Sequence, residues 1–123
     1  MKFSWEKTLD AFLEFYQMDL NGQINGSETD FSSNPIVQGY FSNSQNIMKI
    51  FSNAGINLNN LDPVARSILR TFISMVILGE DIPLAISRAI KISDKFSSKH
   101  MSKFIHAVVS KIVRNLPENS SNF

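Results

Sequence analysis

Residues 62–79 read DPVARSILRTFISMVILG, and this stretch decides the fold. Asp62 followed by Pro63 is a helix start: an N-cap side chain, then a proline where the missing N–H costs nothing. Val64, Ile68, Leu69, Phe72, Ile73, Val76 and Ile77 follow at helical spacing, and Gly79 is a C-terminal stop. Met75 and Leu78 are apolar too, so the helix is greasy on nearly every side, and such a helix must be surrounded by others.

Outward from this centre the same period recurs. Downstream, Asp81 and Pro83 open another helix with Leu84, Ile86, Ala89, Ile90 and Phe96 expected inward, and Ser97-Ser98 restart the chain as a cap. The last helix carries Met101, Phe104, Ile105, Val108, Val109, Ile112, Val113 and Leu116, and Pro117 ends it. Upstream, Ser4 caps a first helix with Trp5, Leu9, Phe12, Leu13 and Tyr16 on one stripe, which stops near Leu20. Asn21 to Asn34 reads as a loop rich in Asn, Gly and Ser. Asn34-Pro35 then starts a helix expected to run to about Ala54, with Gly55 as its stop, carrying Val37, Tyr40, Phe41, Ile47, Met48 and Phe51. Gly39 and the polar run Ser42 to Asn46 allow a break inside it. No stretch reads as a strand pair. The expected fold is an all-α bundle of five or six helices, one domain over residues 1–117 with a disordered tail at 118–123.

Composition narrows the function. The chain has 123 residues, and at roughly 100–200 residues per domain this is one domain. Cysteine is absent, which excludes a disulfide framework, a thiolate metal cage and a cysteine nucleophile. The longest uninterrupted apolar run, Met75 to Leu78, is far short of the ~20 residues of a membrane span. The N-terminus alternates apolar with acidic residues and does not read as a secretory signal, so a cytoplasmic protein is expected. His100 and His106 lie nearly opposite on their helix, and neither a glycine-rich phosphate loop nor a G-x-S-x-G elbow is present. No enzyme, metal site or cofactor is expected. Two Asn-x-Ser matches, at Asn25 and Asn119, are read as chance in a chain rich in both residues.

Charge is distributed unevenly. Residues 1–61 carry three basic and six acidic side chains, residues 62–123 nine basic and five acidic. Between Arg88 and Arg114 only Asp94 stands against seven Lys and Arg. Arg88, Lys91 and Lys95 recur at i, i+3 and i+7 on one helix, and Lys99 and Lys103 form an i, i+4 pair at the start of the next, with His100 and the ring of Phe104 nearby. A positive field attracts phosphate or an acidic protein surface, and lysines with occasional aromatics suit RNA. The same charges also fit a solvated helix face, and Phe104 also fits a core stripe.

The second half resembles the NusB family. Ala85-Ile86-Ser87-Arg88-Ala89-Ile90-Lys91-Ile92, then Lys95-Phe96, then Lys103-Phe104-Ile105 follow that family's order and spacing, and Val64-Ala65-Arg66-Ser67-Ile68-Leu69-Arg70 resembles its central-helix start. Thr8-Leu9-Asp10-Ala11-Phe12-Leu13 resembles its first helix. The resemblance implies two three-helix halves and a transcription antitermination factor that binds boxA-type RNA together with the ribosomal protein NusE, as monomer or homodimer. Where the family has an arginine-rich N-terminal arm, only Lys2 and Lys7 remain. Arg88 and Lys91 replace an acidic pair, and Ser74-Met75 replaces a tyrosine-glutamate. The candidate RNA-binding residues are therefore Lys2, Lys7, Arg88, Lys91, Lys95, Lys99, His100, Lys103 and Phe104. The alternative is a protein-interaction module on the same scaffold that binds no RNA.

Overall fold

The computed structural model describes residues 1–22 and 32–116. Among them are six α-helices, a single 3-10 turn and no strand: α1 (Trp5–Leu20), α2 (Pro35–Ser42), α3 (Ser44–Asn53), the turn Leu58–Asn60, α4 (Pro63–Ile77), α5 (Ile82–Phe96) and α6 (Lys99–Arg114). Most of the loop expected before Asn34, the tail at 118–123 and both Asn-x-Ser asparagines lie outside the described residues.

The capping residues act as their types require. Ser4, Asn34, Asp62, Asp81 and Ser98 each accept a hydrogen bond from a backbone N–H of the first helical turn. The helix expected over 35–54 is two, and the division falls at Asn43, whose side-chain amide donates to the Gly39 carbonyl. That bond offers the backbone an alternative to continued helix.

The chain divides into α1–α3 and α4–α6, with α4 as the shared centre: it packs against α1, α2, α5 and α6. Twelve of its fifteen residues are buried, against three of sixteen in α6, so α4 is the core and α6 an outer helix. Phe12, Phe15, Ile36, Ile68, Phe72 and Ile92 are among the fully buried side chains around it. Ser74 Oγ donates to the Ile36 carbonyl, which fixes α2 on α4. Phe96, expected inward, is instead 40% exposed, and Met48, one of the apolar residues of the second expected helix, is 70% exposed. The stripe of α3 is narrow and Ile47, Ile50 and Phe51 fill it. Phe96, the last residue of α5, leans its ring on Phe12 with centroids 5.2 Å apart.

Two buried ionic clusters fasten α1 and the segment before it. Asp19 near the end of α1 accepts from Arg66 Nε and Nη2 at 2.9 and 2.6 Å and from Arg70 Nη1 at 2.5 Å. At the other end, Glu80 accepts from the backbone N–H groups of Lys2, Phe3 and Asp81. Arg88 Nη1 donates to the Phe3 carbonyl at 2.5 Å and to Thr8 Oγ1 at 2.8 Å. Residues 1–4 are thus held along the α4–α5 junction.

Candidate nucleic-acid interface

Helix geometry distributes the candidate residues over three places. Arg88 is buried, 6% exposed, with its guanidinium engaged by the N-terminal segment. Its expected place on an exposed cationic side is corrected: a guanidinium that holds buried carbonyls cannot also meet phosphate. Lys91, one turn on, lies with Nζ 4.2 Å from the centroid of the Trp5 ring. Such a cation–π contact at an exposed site contributes roughly 0.5–1 kcal/mol and leaves the ammonium open to solvent. Lys2 and Lys7 are exposed, although the Lys2 backbone is held by Glu80.

Lys95, Lys99, His100 and Lys103 gather around the corner between α5 and α6, and all are exposed. Ser98 caps α6 by accepting from Met101 N–H, and the first turn carries no acidic residue. Cations at a helix N-terminus sit against the positive end of the dipole, a placement that costs on the order of 0.3–1 kcal/mol where a carboxylate would contribute it. The whole of α6 lacks a carboxylate. Among the described residues no carboxylate lies within ion-pairing distance of Lys95, Lys99 or Lys103. Asp94, the one acid between Arg88 and Arg114, accepts instead from Ser102 Oγ. Among the described residues the corner therefore presents a net positive field in which Asp94 is bonded to Ser102 and pairs with none of the lysines, and the N–H end of α6 adds to it.

Phe104 belongs to neither the core nor this corner. Successive helical residues turn by about 100°, so Phe104 is well round the cylinder from Lys99 and Lys103. It is 40% exposed and faces a groove against Ile56 and Leu61. The ring beside the lysines is that of Phe96, placed between Lys95 and Lys99 in the chain and 40% exposed. The apolar period put it inside; its position at the last turn of α5, just before the Ser97-Ser98 restart, was the available sign of partial exposure.

Arg66 and Arg70 also have a role that spacing could have disclosed. Two arginines at i, i+4 on an otherwise apolar helix need a carboxylate partner. The Arg66 hydrogen bond is the chief cause that holds the Asp19 carboxyl below its usual range; burial opposes it and Arg70 reinforces it. Burial pushes the Glu80 carboxyl up, but the N–H groups of Phe3, Lys2 and Asp81, with the N-terminal ammonium, outweigh it and hold it low. Both carboxylates are structural anchors rather than parts of the interface.

Among the described residues no group of His, Asp and Glu is arranged to hold a metal ion, and no helix is long and apolar enough to cross a membrane. The described residues form an all-α scaffold: a helical bundle around one buried helix, with a cationic corner on its outer helices. The chain belongs to the NusB family: the family model matches residues 2–114. It is similar to the transcription antitermination protein NusB of Elusimicrobium minutum, 31% identical over 111 residues that span 86% of this chain and 79% of that protein. The transcription antitermination protein NusB of Bacillus velezensis is 25% identical over 117 residues, spanning 87% of this chain and 90% of that protein. In fold it is similar to T. maritima NusB, with a TM-score of 0.75 at 20% identity over the full length of both chains.

Proposed function

We propose that the chain acts in transcription antitermination, as its curated relatives are named to do, by holding RNA of boxA type on the α5–α6 corner in company with the ribosomal protein NusE. It works in the cytoplasm by binding rather than by catalysis. The observation that carries this reading is the set Lys95 at the end of α5 and Lys99, His100 and Lys103 at the start of α6, all exposed, with Asp94 bonded to Ser102 and no lysine of the set in an ion pair among the described residues. Phosphate contacts supply affinity there, and the half-exposed ring of Phe96 offers a surface on which an unstacked base can lie. Lys2, Lys7 and Lys91 extend the positive field toward the N-terminal end of α1, while Arg88 acts only by fixing that end.

The test is a titration of boxA-like RNA at two salt concentrations with the unaltered chain and with Lys99→Glu/Lys103→Glu. Affinity that falls with salt, and falls further in the double variant with an unchanged circular dichroism spectrum, supports the reading. Affinity indifferent to both salt and substitution overturns it. Retention of NusE from native extract after ribonuclease treatment supports a direct protein contact, and loss of NusE at that step assigns the association to RNA alone.

A further inference from the structure

A groove of about 320 Å³ runs between the segment Gly55–Leu61 and α6, with Ile56, Leu61, Phe104 and Val108 as its apolar walls. Ile56 and Asn57 are shared with a second hollow of about 280 Å³ that extends it past Leu58 to Met48, which is 70% exposed. Lys111 stands at the mouth: its ammonium is 3.4 Å from where a β-carbon on Gly55 would be. Both sides of the groove lack acids entirely. Lys111 is the one charged residue among those that line it, and neither residues 44–61 nor residues 99–114 include a carboxylate. Asp62, which follows Leu61 in the chain, is engaged as the N-cap of α4.

We propose that this groove is a docking site for a protein segment that sets carboxylates beside apolar anchors. Charge complementarity fixes the sign of the occupant, since a cationic rim excludes a basic segment and rewards an acidic one. The lining fixes its class. Ile56, Leu61, Val108 and Met48 are aliphatic, and aliphatic walls with one ring favour leucine-like, isoleucine-like or phenylalanine-like side chains over stacked bases. A flexible methionine on the rim lets the surface adapt to such anchors. Because Phe104 and Lys111 lie about 80–140° round α6 from Lys99 and Lys103, this site is distinct from the RNA corner, and the inference does not depend on the RNA reading.

The experiment is selection of random twelve-residue peptides by mRNA display on the whole chain, followed by binding of the enriched peptides to Phe104→Ser and Lys111→Glu. The expected result is enrichment of Asp and Glu beside Leu, Ile or Phe, and roughly tenfold weaker binding to each variant, the scale of losing one anchor. Amide NMR shifts induced by the peptide should centre on Ile56, Asn57, Leu61 and Val108. Enrichment of neutral or basic peptides, no enrichment, or binding indifferent to both variants overturns the proposal. Two other outcomes also overturn it. In one, the chain self-associates and Met48→Glu renders it monomeric, which makes the occupant a second copy. In the other, boxA-like RNA binding is lost in Lys111→Glu but retained in Lys99→Glu/Lys103→Glu, which makes the groove the RNA site.

Discussion

Arg88 Nη1 lies 3.9 Å from Glu80 Oε2, and the two buried side chains grip complementary edges of residues 1–4. Glu80 takes the N–H groups of Lys2 and Phe3, while Arg88 takes the Phe3 carbonyl and the Thr8 hydroxyl. The buried positive charge of Arg88 therefore faces an acid that stands just before the same helix. Arg88→Ala leaves the buried Phe3 carbonyl without its side-chain donor and Thr8 Oγ1 without Arg88, while Glu80 keeps its three N–H donors. Its expected cost is about 1–3 kcal/mol of folding stability, read by urea unfolding. Were Arg88 an RNA ligand, the variant would lose affinity and keep its unfolding midpoint.

The two depressed carboxylates give stability an acid limb. A carboxyl whose folded pKa is below its unfolded value stabilises the fold above the unfolded value, and that contribution disappears as pH falls through the folded one. Asp19 and Glu80 both have this sign. Stability should be level from neutral pH to about 5 and should decline below the ordinary carboxylate range near 4. Replacing Asp19 by Asn should flatten this decline and lower stability at pH 7. A decline of unchanged slope in the variant would remove Asp19 from the account.

What the sequence discloses and what it conceals divides along physical lines. Caps and stripes are local, so Ser4, Asn34, Asp62, Asp81 and Ser98 mark their helices correctly, and the greasy run 64–78 identifies the central one. Which cation is free is not local. Arg88 and Lys91 share a helix side, yet one meets the buried Phe3 carbonyl and the other the ring of Trp5, because the N-terminal segment and the first turn of α1 cross that side. Phe96 and Phe104 fit the apolar period but stand at the edge of the core, Phe96 at the last turn of α5 and Phe104 on α6, which packs chiefly on α5 and less on α4.

Gly39 marks a close approach of α2 to the end of α4. A β-carbon there would stand 2.6 Å from Leu78 Cδ1 and 3.0 Å from its Cγ. Leu78 is only half-buried and its methyl groups can rotate away, while Gly to Ala inside a helix contributes up to about 1 kcal/mol. Gly39→Ala should therefore be close to neutral in thermal unfolding. Gly39→Val adds branches that Leu78 cannot clear and a β-branched penalty, so a loss of about 1–3 kcal/mol is expected. A strongly destabilised alanine variant would mean that Leu78 is fixed in place.

The salt dependence of RNA binding distinguishes lysines that meet phosphate from those that only raise the field. Each single-strand phosphate neutralised contributes about 0.7 to the slope of log affinity against log salt. Lys99→Gln and Lys103→Gln should each lower that slope by about 0.7, because both ammonium groups stand in open solvent beside the α6 N-terminus. Lys91→Gln should weaken binding with less change of slope, since its ammonium is already placed over the Trp5 ring. Trp5→Leu, which frees Lys91 while keeping an apolar contact with the core, should leave the slope unchanged or raise it. If Lys91→Gln instead reduces the slope as much as Lys99→Gln does, the RNA path runs along α1 as well as the α5–α6 corner, and the footprint must include the N-terminal turn.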